Sequence, residues 1–124
     1  RKQMTEITSE MTILMVTAIL KPQPMQNWLL KNTQKVKTRF YPDHHHFDKK
    51  DIREIEKDFI DLQGDKLILT TEKDAARLKS NLHLTEKMKK NLYALPLEVK
   101  ILNNEQDTFI LKINDYVRKN SGNR

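Results

Sequence analysis

An uninterrupted apolar run near the N-terminus constrains the fold more than any other feature of this chain. Residues 12–19 read Thr-Ile-Leu-Met-Val-Thr-Ala-Ile, without the polar alternation of a strand that has one face in water. A strand of this kind is buried on both faces, as in the middle of a parallel sheet. The run is far shorter than the ~18 apolar residues that a membrane-spanning helix needs. We therefore predict a central strand of an α/β domain and no membrane span.

Segments with strand character alternate with amphipathic helices along the rest of the chain. Besides residues 12–19, strands are predicted over 36–41, 66–71 and 95–102, and helices over 25–32, 48–64, 72–78, 84–92 and 105–119. Strands separated by helices of this length form right-handed βαβ units. The predicted fold is a three-layer α/β sandwich with a mainly parallel sheet of about four strands flanked by helices. We expect residues 1–11 to be a linker, 12–119 the domain and 120–124 a frayed tail.

The boundaries of two predicted helices carry local signals. Asp48 has the short acceptor side chain of an N-cap, and Asp51 follows it in the first turn. Thr71 and Asp74 have the spacing of a second capping pair. Gly64 follows the apolar stripe of the first of these helices and is expected to end it.

Composition limits the kinds of site that the chain can form. Cysteine is absent, which excludes disulfides and thiolate metal sites. The net charge is +6, with 23 Lys and Arg against 17 Asp and Glu that are interleaved along the chain. Aromatic residues make up 6%, too few for an obvious base-stacking platform. These features favour a solvated charged surface over a nucleic-acid partner. The N-terminus shows no secretory signal. Because the chain starts with Arg rather than Met, we interpret it as an excised piece of a longer protein.

Three loops at the carboxyl ends of the predicted strands are the candidate functional positions, because ligands bind there in parallel sheets. They follow Thr17, span 43–47 and span 70–74, and we expect all three to open on one edge. The loop Asp43-His44-His45-His46 offers an imidazole beside a carboxylate, which suits proton transfer or the orientation of another group. A solvent-exposed loop without chemistry and a metal site are the alternatives.

The segment Thr70-Thr71-Glu72-Lys73-Asp74-Ala75 is the second candidate. A polar strand end that runs into a helix N-terminus offers free backbone N–H groups and a positive dipole to an anion or nucleotide. The alternative is that Thr71 and Asp74 only cap the helix.

The number of glycines excludes several motifs. The chain contains only Gly64 and Gly122, so neither a Gly-x-x-x-x-Gly-Lys-Ser/Thr phosphate loop nor a Gly-x-Gly-x-x-Gly fingerprint can occur. A hydrolase nucleophile elbow is missing as well. We therefore expect that this chain does not transfer phosphate by itself.

Two segments together resemble a known family. Phe40-Tyr41-Pro42-Asp43-His44-His45 is similar to the Phe-x-Asp-His-His signature of the tetraacyldisaccharide 4′-kinases, and residues 71–75 to their Thr-Glu-Lys-Asp-Ala signature. A strand and proline-containing turn precede them at residues 16–22, where Ala18 and Leu20 depart from the family's Thr/Ser-Gly-Ile-Ala. The resemblance covers residues 12–117.

This resemblance implies an activity and its partners. Enzymes of the family transfer the ATP γ-phosphate to the 4′-hydroxyl of tetraacyldisaccharide 1-phosphate, which gives lipid IVA in lipid A biosynthesis. It implies that ATP and Mg²⁺ are bound mainly by an N-terminal kinase domain at the cytoplasmic face of the inner membrane. This chain would then be the C-terminal domain, soluble and inactive alone, with its own N-terminal domain, the lipid A precursor and the membrane surface as partners, and no nucleic acid.

The resemblance also implies roles for individual residues. His44, with Asp43 beside it, would assist a catalytic Asp of the other domain, while Thr71, Glu72, Lys73 and Asp74 would lie near the nucleotide. No residue of this chain is expected to bind the metal. The two segments would emerge side by side from neighbouring strands and form one side of a cleft.

Three other functions remain open from the residues alone. A DHH-type metal-dependent phosphoesterase also ends a strand with Asp-His-His but needs further aspartates, and no Asp precedes Asp43 in this chain. A basic nucleic-acid-binding α/β module is the second alternative, and its binding would depend steeply on salt. The third is an α/β interaction domain without catalytic chemistry.

Overall fold

Four parallel strands form one sheet in the computed structural model, which describes residues 7–95. In chain order the elements are β1 (Thr12–Thr17), α1 (Gln23–Asn32), β2 (Val36–Phe40), α2 (Lys49–Asp61), β3 (Lys66–Thr71), α3 (Glu72–Lys79), α4 (Glu86–Lys90) and β4 (Leu92–Leu95). The order across the sheet is β2-β1-β3-β4. Among these helices the longest has 13 residues, and none has the length and apolarity of a membrane-spanning segment.

Strand β1 lies inside the sheet, as its apolar run predicts. All six of its residues are buried. It pairs in parallel with β2 on one side, where Thr17 aligns with Phe40, and with β3 on the other, where Met15 aligns with Leu69. The strand ends at Thr17, before the predicted end at Ile19.

The two faces of the sheet carry separate apolar cores. On one face, α1 packs Met25, Trp28 and Leu29 against Ile13 and Met15 of β1. The other face is covered by α2, α3 and α4, whose buried side chains include Ile52, Ile55, Phe59, Leu78 and Met88. Each such side chain contributes about 1.5–3 kcal/mol relative to an exposed one. The predicted three-layer α/β sandwich is confirmed.

The two predicted N-caps are also confirmed. The Asp48 carboxylate accepts a hydrogen bond from the Asp51 N–H, and the Asp51 carboxylate accepts one from the Asp48 N–H, so the two form a reciprocal capping box. The hydroxyl of Thr71 caps α3 by accepting from the Asp74 N–H at 3.1 Å. Helix α2 ends earlier than predicted, at Asp61, because the backbone is already extended at its C-cap Leu62; Gly64 lies beyond this end with φ +79°, a left-handed conformation that glycine adopts without strain.

The last described strand starts earlier than predicted. Leu92–Leu95 pairs with β3, so Leu92 belongs to a strand rather than to the end of a helix over 84–92. The intervening helix is only Glu86–Lys90, because Thr85 caps its start and the backbone N–H of Asn91 closes its last turn. The rest of the strand predicted over 95–102 and the helix predicted over 105–119 lie outside the described residues.

Strand β2 forms one edge of the sheet and is joined to α2 by ion pairs. Arg39 Nε contacts the Asp58 carboxylate, and Arg39 Nη1 lies 3.4 Å from Glu54 Oε1. Lys37 Nζ lies 3.5 Å from the second oxygen of Asp58. Burial opposes ionisation of Asp58, but the hydrogen bond from Arg39 and the charge of Lys37 hold its pKa below the ordinary value. The carboxylate therefore stays ionised and anchors the edge strand.

Candidate functional site at the carboxyl edge of the sheet

The order of the strands reverses beside β1. The chain moves from β1 outward to β2 and then crosses back to place β3 on the other side of β1, while α1 and α2 cover opposite faces. In open parallel sheets a crevice forms beyond the carboxyl ends of the strands at such a point. A cavity of about 310 Å³ lies there, and we call it the edge cavity; it is lined by Ala18, Ile19, Leu20, Lys21, Asp43, His44, Lys73 and Arg77.

The edge cavity brings together all three loops that the sequence singled out. Residues 18–21 follow β1, Asp43 and His44 follow β2, and Lys73 lies in the first turn after β3. One detail of the prediction is wrong, because β2 and β3 are not neighbours and β1 lies between them. The loop after β1 therefore separates the two predicted segments and supplies part of the lining.

His44 lies at the cavity in an uncommon backbone conformation. Its φ is +64°, in the left-handed region that few residues other than glycine adopt, although Asn, Asp and His do so more often than the rest. It follows Asp43 in a turn closed by a hydrogen bond from the His45 N–H to the Pro42 carbonyl at 3.0 Å. The His44 N–H donates to the Ala18 carbonyl at 3.1 Å, which joins this loop to the end of β1. Its side chain is 65% exposed, with Nε2 3.5 Å from Asp43 Oδ2, so the imidazole is open to a reactant.

The two following histidines have different surroundings. His45 is turned into the protein, where Nε2 lies 2.7 Å from Asp51 Oδ2 and the ring stacks on Tyr41. His46 is exposed. Burial opposes ionisation of Asp51, but hydrogen bonds from the Asp48 backbone and from His45 hold its pKa below the ordinary value. Of the three histidines, only His44 lines the edge cavity.

Thr71 and Asp74 are buried beneath the cavity rather than exposed to it. They are 0% and 1% exposed. Asp74 Oδ2 accepts hydrogen bonds from the Ala18 N–H at 2.9 Å and from the Thr71 hydroxyl at 2.9 Å. These bonds join the start of α3 to the loop after β1. The capping interpretation of the Thr-x-x-Asp spacing is therefore confirmed, and the link to Ala18 was not predicted.

Three cations surround the cavity. Lys73 was a sequence candidate, whereas Lys21 and Arg77 were not. Within the described residues, none of the three forms an ion pair with a carboxylate. The i, i+4 spacing of Lys73 and Arg77, which places both on one face of a helix, was a signal that could have found Arg77. Glu72 is exposed and does not line the cavity.

The chemistry of this set is that of proton handling and anion binding. An exposed imidazole can accept a proton or orient another group that does so. Cations without a carboxylate partner around a cavity attract phosphate groups. Magnesium does not fit these residues, because residues 7–95 contain no group of three or more His, Asp or Glu side chains that could hold a metal ion.

Comparison with known proteins gives a consistent result. The family model described as Tetraacyldisaccharide-1-P 4′-kinase matches residues 1–116. The tetraacyldisaccharide 4′-kinase of Bacteroides thetaiotaomicron is 46% identical over 112 residues, which are 90% of this chain and 30% of that protein. The protein of the same name from Bacteroides fragilis is 39% identical over 123 residues, 98% of this chain and 33% of that protein. No solved structure matches the chain significantly.

The chain thus spans about a third of the length of these curated relatives. The match nevertheless extends over nearly the whole chain and includes every residue of the edge cavity. From this match we conclude that the chain belongs to the tetraacyldisaccharide-1-P 4′-kinase family.

Proposed function

We propose that this chain is the C-terminal domain of a tetraacyldisaccharide 4′-kinase. The complete enzyme would transfer the γ-phosphate of ATP to the 4′-hydroxyl of tetraacyldisaccharide 1-phosphate and produce lipid IVA in lipid A biosynthesis. Family membership supports this activity, and the relatives that match carry that name. The observation that carries the proposal is the edge cavity, where His44 and three cations, Lys21, Lys73 and Arg77, face the same space.

His44 is proposed to assist removal of the proton from the acceptor hydroxyl. Its imidazole is exposed and has Asp43 close by, so it can accept the proton directly or orient a carboxylate of another domain that does so. Either role requires the hydroxyl or its base to approach within hydrogen-bonding distance. Catalysis would then depend on closure of the other domain over the cavity.

The cations are proposed to face the phosphates of ATP, which would supply the transferred group. Lys73 and Arg77 project from the first two turns of α3, and Lys21 lies across the cavity in the loop after β1. Asp43 lines the cavity as well, so the lining carries a net positive charge. Thr71 and Asp74 are proposed to hold the loop after β1 in place rather than to contact the nucleotide, because their side chains are already hydrogen-bonded to each other and to the Ala18 N–H. Glu72 is proposed to lie at the outer margin of the nucleotide region.

The remaining parts of the reaction are assigned to an N-terminal kinase domain. The two glycines of the chain cannot form a phosphate loop, and the residues from 7 to 95 offer no metal-binding group. The phosphate loop and the Mg²⁺ ligands would therefore come from that domain. The chain alone would be inactive, and the complete enzyme would act on its lipid substrate at the cytoplasmic face of the inner membrane.

The test uses the complete enzyme and a substitution that respects the backbone of His44. Asn tolerates a left-handed φ, so His44→Asn removes the imidazole without adding strain. We expect kcat to fall about 100-fold or more, which is typical when a general acid–base group is lost. The melting temperature should stay unchanged.

The matched control is His46→Ala, which removes an exposed imidazole two positions away. It should retain wild-type kcat. Wild-type turnover by the His44→Asn enzyme would refute the proposed role of His44, and turnover of the lipid by the 124-residue chain alone would refute the assignment to a C-terminal domain.

A further inference from the structure

The conformation of His44 requires support from its neighbours. A left-handed φ of +64° has a conformational cost for any residue except glycine, histidine included, and it persists where the surrounding structure holds it. Three backbone hydrogen bonds hold the first half of the loop: Tyr41 N–H to Thr17 at 2.8 Å, His44 N–H to Ala18 at 3.1 Å and His45 N–H to the Pro42 carbonyl at 3.0 Å. They fix the start of the loop against β1. These three bonds do not reach the second half of the loop, which is held by other contacts.

The second half of the loop is held by the His45 side chain. Its Nε2 lies 2.7 Å from Asp51 Oδ2, and the same oxygen accepts the Asp48 N–H at 3.0 Å. The ring stacks on Tyr41 with centroids 4.7 Å apart and an interplanar angle of 17°, and Phe47 meets it edge-on at 5.6 Å. One side chain thus joins the strand end, the loop and the first turn of α2.

The residues around His45 are themselves fixed. Phe47 is 4% exposed and belongs to the core beneath α2, and its carbonyl accepts a hydrogen bond from the Asn81 side chain at 3.1 Å. The Asp51 carboxylate is held by the capping box of α2. Rotation of His45 out of this position would break the hydrogen bond to Asp51 and the stacking on Tyr41 together. Its place in the loop is therefore defined by the folded core.

We propose that His45 is a positioning residue for His44: anchored to Asp51 and Tyr41, it holds the turn in the left-handed conformation that directs the neighbouring imidazole to the edge cavity. The two successive histidines then have different roles: His44 faces the reactants, and His45 holds His44 in that position. The inference rests on the proposed function for its effect on catalysis. Its structural part, that His45 sets the backbone of His44, is independent of the reaction.

A double-mutant cycle on the complete enzyme tests the catalytic part. We expect His45→Ala to lower kcat about 10- to 100-fold, the range that a displaced catalytic group produces, with little change in KM for ATP. His45→Gln retains an N–H that can reach Asp51 but cannot stack in the same way, so its kcat should be intermediate. In the His44→Asn background, His45→Ala should change kcat less than about twofold, because the group that it positions is already gone.

NMR of the complete enzyme with selectively ¹³C,¹⁵N-labelled histidine tests the structural part. The Cα shift of His44 reports its backbone conformation. We expect it to move away from the left-handed value in the His45→Ala enzyme and to stay in place in the His46→Ala enzyme. Thermal unfolding of each variant confirms that the protein is folded, and His45→Gln serves if the alanine variant does not fold.

The outcomes separate the two proposals. An unchanged His44 shift in folded His45 variants would overturn the positioning role, as would the same loss of kcat from His45→Ala in both backgrounds. If the shift moves but His44→Asn retains full turnover, the positioning role stands and the proposed function of His44 fails. A moved shift with a loss of kcat confined to the wild-type background supports both.

Discussion

Charged side chains are arranged in opposite ways on the outer flank of β2 and at the edge cavity. On the flank, Lys37 and Arg39 lie against Asp58 and Glu54 of α2, and the central carboxylate of Asp58 is only 9% exposed. Nearly buried carboxylates of this kind need partners, because an uncompensated buried charge is costly. The flank therefore uses its charges to hold an edge strand onto a helix.

At the edge cavity the cations have no such partners. Lys21, Lys73 and Arg77 line the space without an ion pair to any carboxylate of residues 7–95. Their charges are therefore not neutralised by carboxylates of the folded domain and are available to an external anion. The comparison teaches that a carboxylate partner, and not location alone, distinguishes charges that hold the fold from charges that a ligand could use. Substitutions on the flank should change stability, and substitutions of the cavity cations should change ligand binding.

The largest expected effect on stability comes from substitution of Asp74. This carboxylate lies beneath the cavity, but like Asp58 on the flank it is buried and has bonding partners. In Asp74→Ala the buried Ala18 N–H and the Thr71 hydroxyl lose their acceptor, which should cost about 2–3 kcal/mol of stability. The loop after β1 should loosen, and kcat should fall as well. Thermal unfolding and steady-state kinetics of the complete enzyme measure both.

Glu72→Ala is the matched control, since this carboxylate lies two residues away on the same turn and is exposed. It should melt like the wild type. Equal melting temperatures for the Asp74 and Glu72 variants would show that the buried bonds to Ala18 and Thr71 do not hold the loop.

The next largest effect is expected on the flank. Asp58→Ala leaves Arg39 and Lys37 without their shared partner and should cost about 1–2 kcal/mol, between the values for exposed and buried pairs. KM for ATP should not change, because the pair lies away from the cavity lining. The exposed Asp61, on the same helix, supplies the control Asp61→Ala. A loss of ATP affinity without a loss of stability would break the comparison.

Lowering the pH should reduce the difference in melting temperature between the Asp58→Ala variant and the wild type. The pKa of Asp58 is lowered in the folded state, so its contribution is complete above the unfolded pKa of about 4 and is lost as the pH falls through the lower folded value. The two melting temperatures should therefore differ at pH 6, begin to converge below about pH 4 and approach each other further as the pH falls toward the folded pKa. A constant difference down to pH 2 would indicate that the charge of Asp58 contributes nothing.

The smallest effect is expected for the cavity cations taken singly. Lys73→Ala and Arg77→Ala should each raise KM for ATP about fivefold, since an exposed charge–phosphate contact contributes on the order of 1 kcal/mol. Their melting temperatures should stay close to that of the wild type. Lys90→Ala is the control, because this exposed lysine precedes β4 at the opposite edge of the sheet. An unchanged KM in both cavity variants, or an equal rise in the control, would contradict the anion role.

Much of the fold was predictable because its signals are local. The apolar run of β1 has no face that tolerates water, and the Asp48 and Thr71 caps act within one turn. The boundary between α4 and β4 was not predictable in this way. Leu92 fits either element by its apolar character, and pairing with Ile68 of β3 decided in favour of a strand.

The candidate site was predictable in part. Its three loops follow from the rule that parallel strands carry their functional groups at one end, and the paired motifs selected His44 and Lys73 among them. Arg77 and Lys21 were missed, because their relevance depends on which loops meet. The anchoring of His45 was missed as well, since its contacts with Asp51 and Tyr41 appear only in the folded structure.

The sequence by itself determined a three-layer α/β domain, the edge at which its loops open and the family to which its motifs point. These properties depend on hydrophobic periodicity and capping, which act over a few neighbouring residues. Only the tertiary structure decided that β1 separates β2 from β3, that Asp74 is occupied by the Ala18 N–H and that His44 alone among the histidines faces the cavity. The physical reason is that each of these facts is a contact between residues distant in the chain or a backbone conformation held by such contacts.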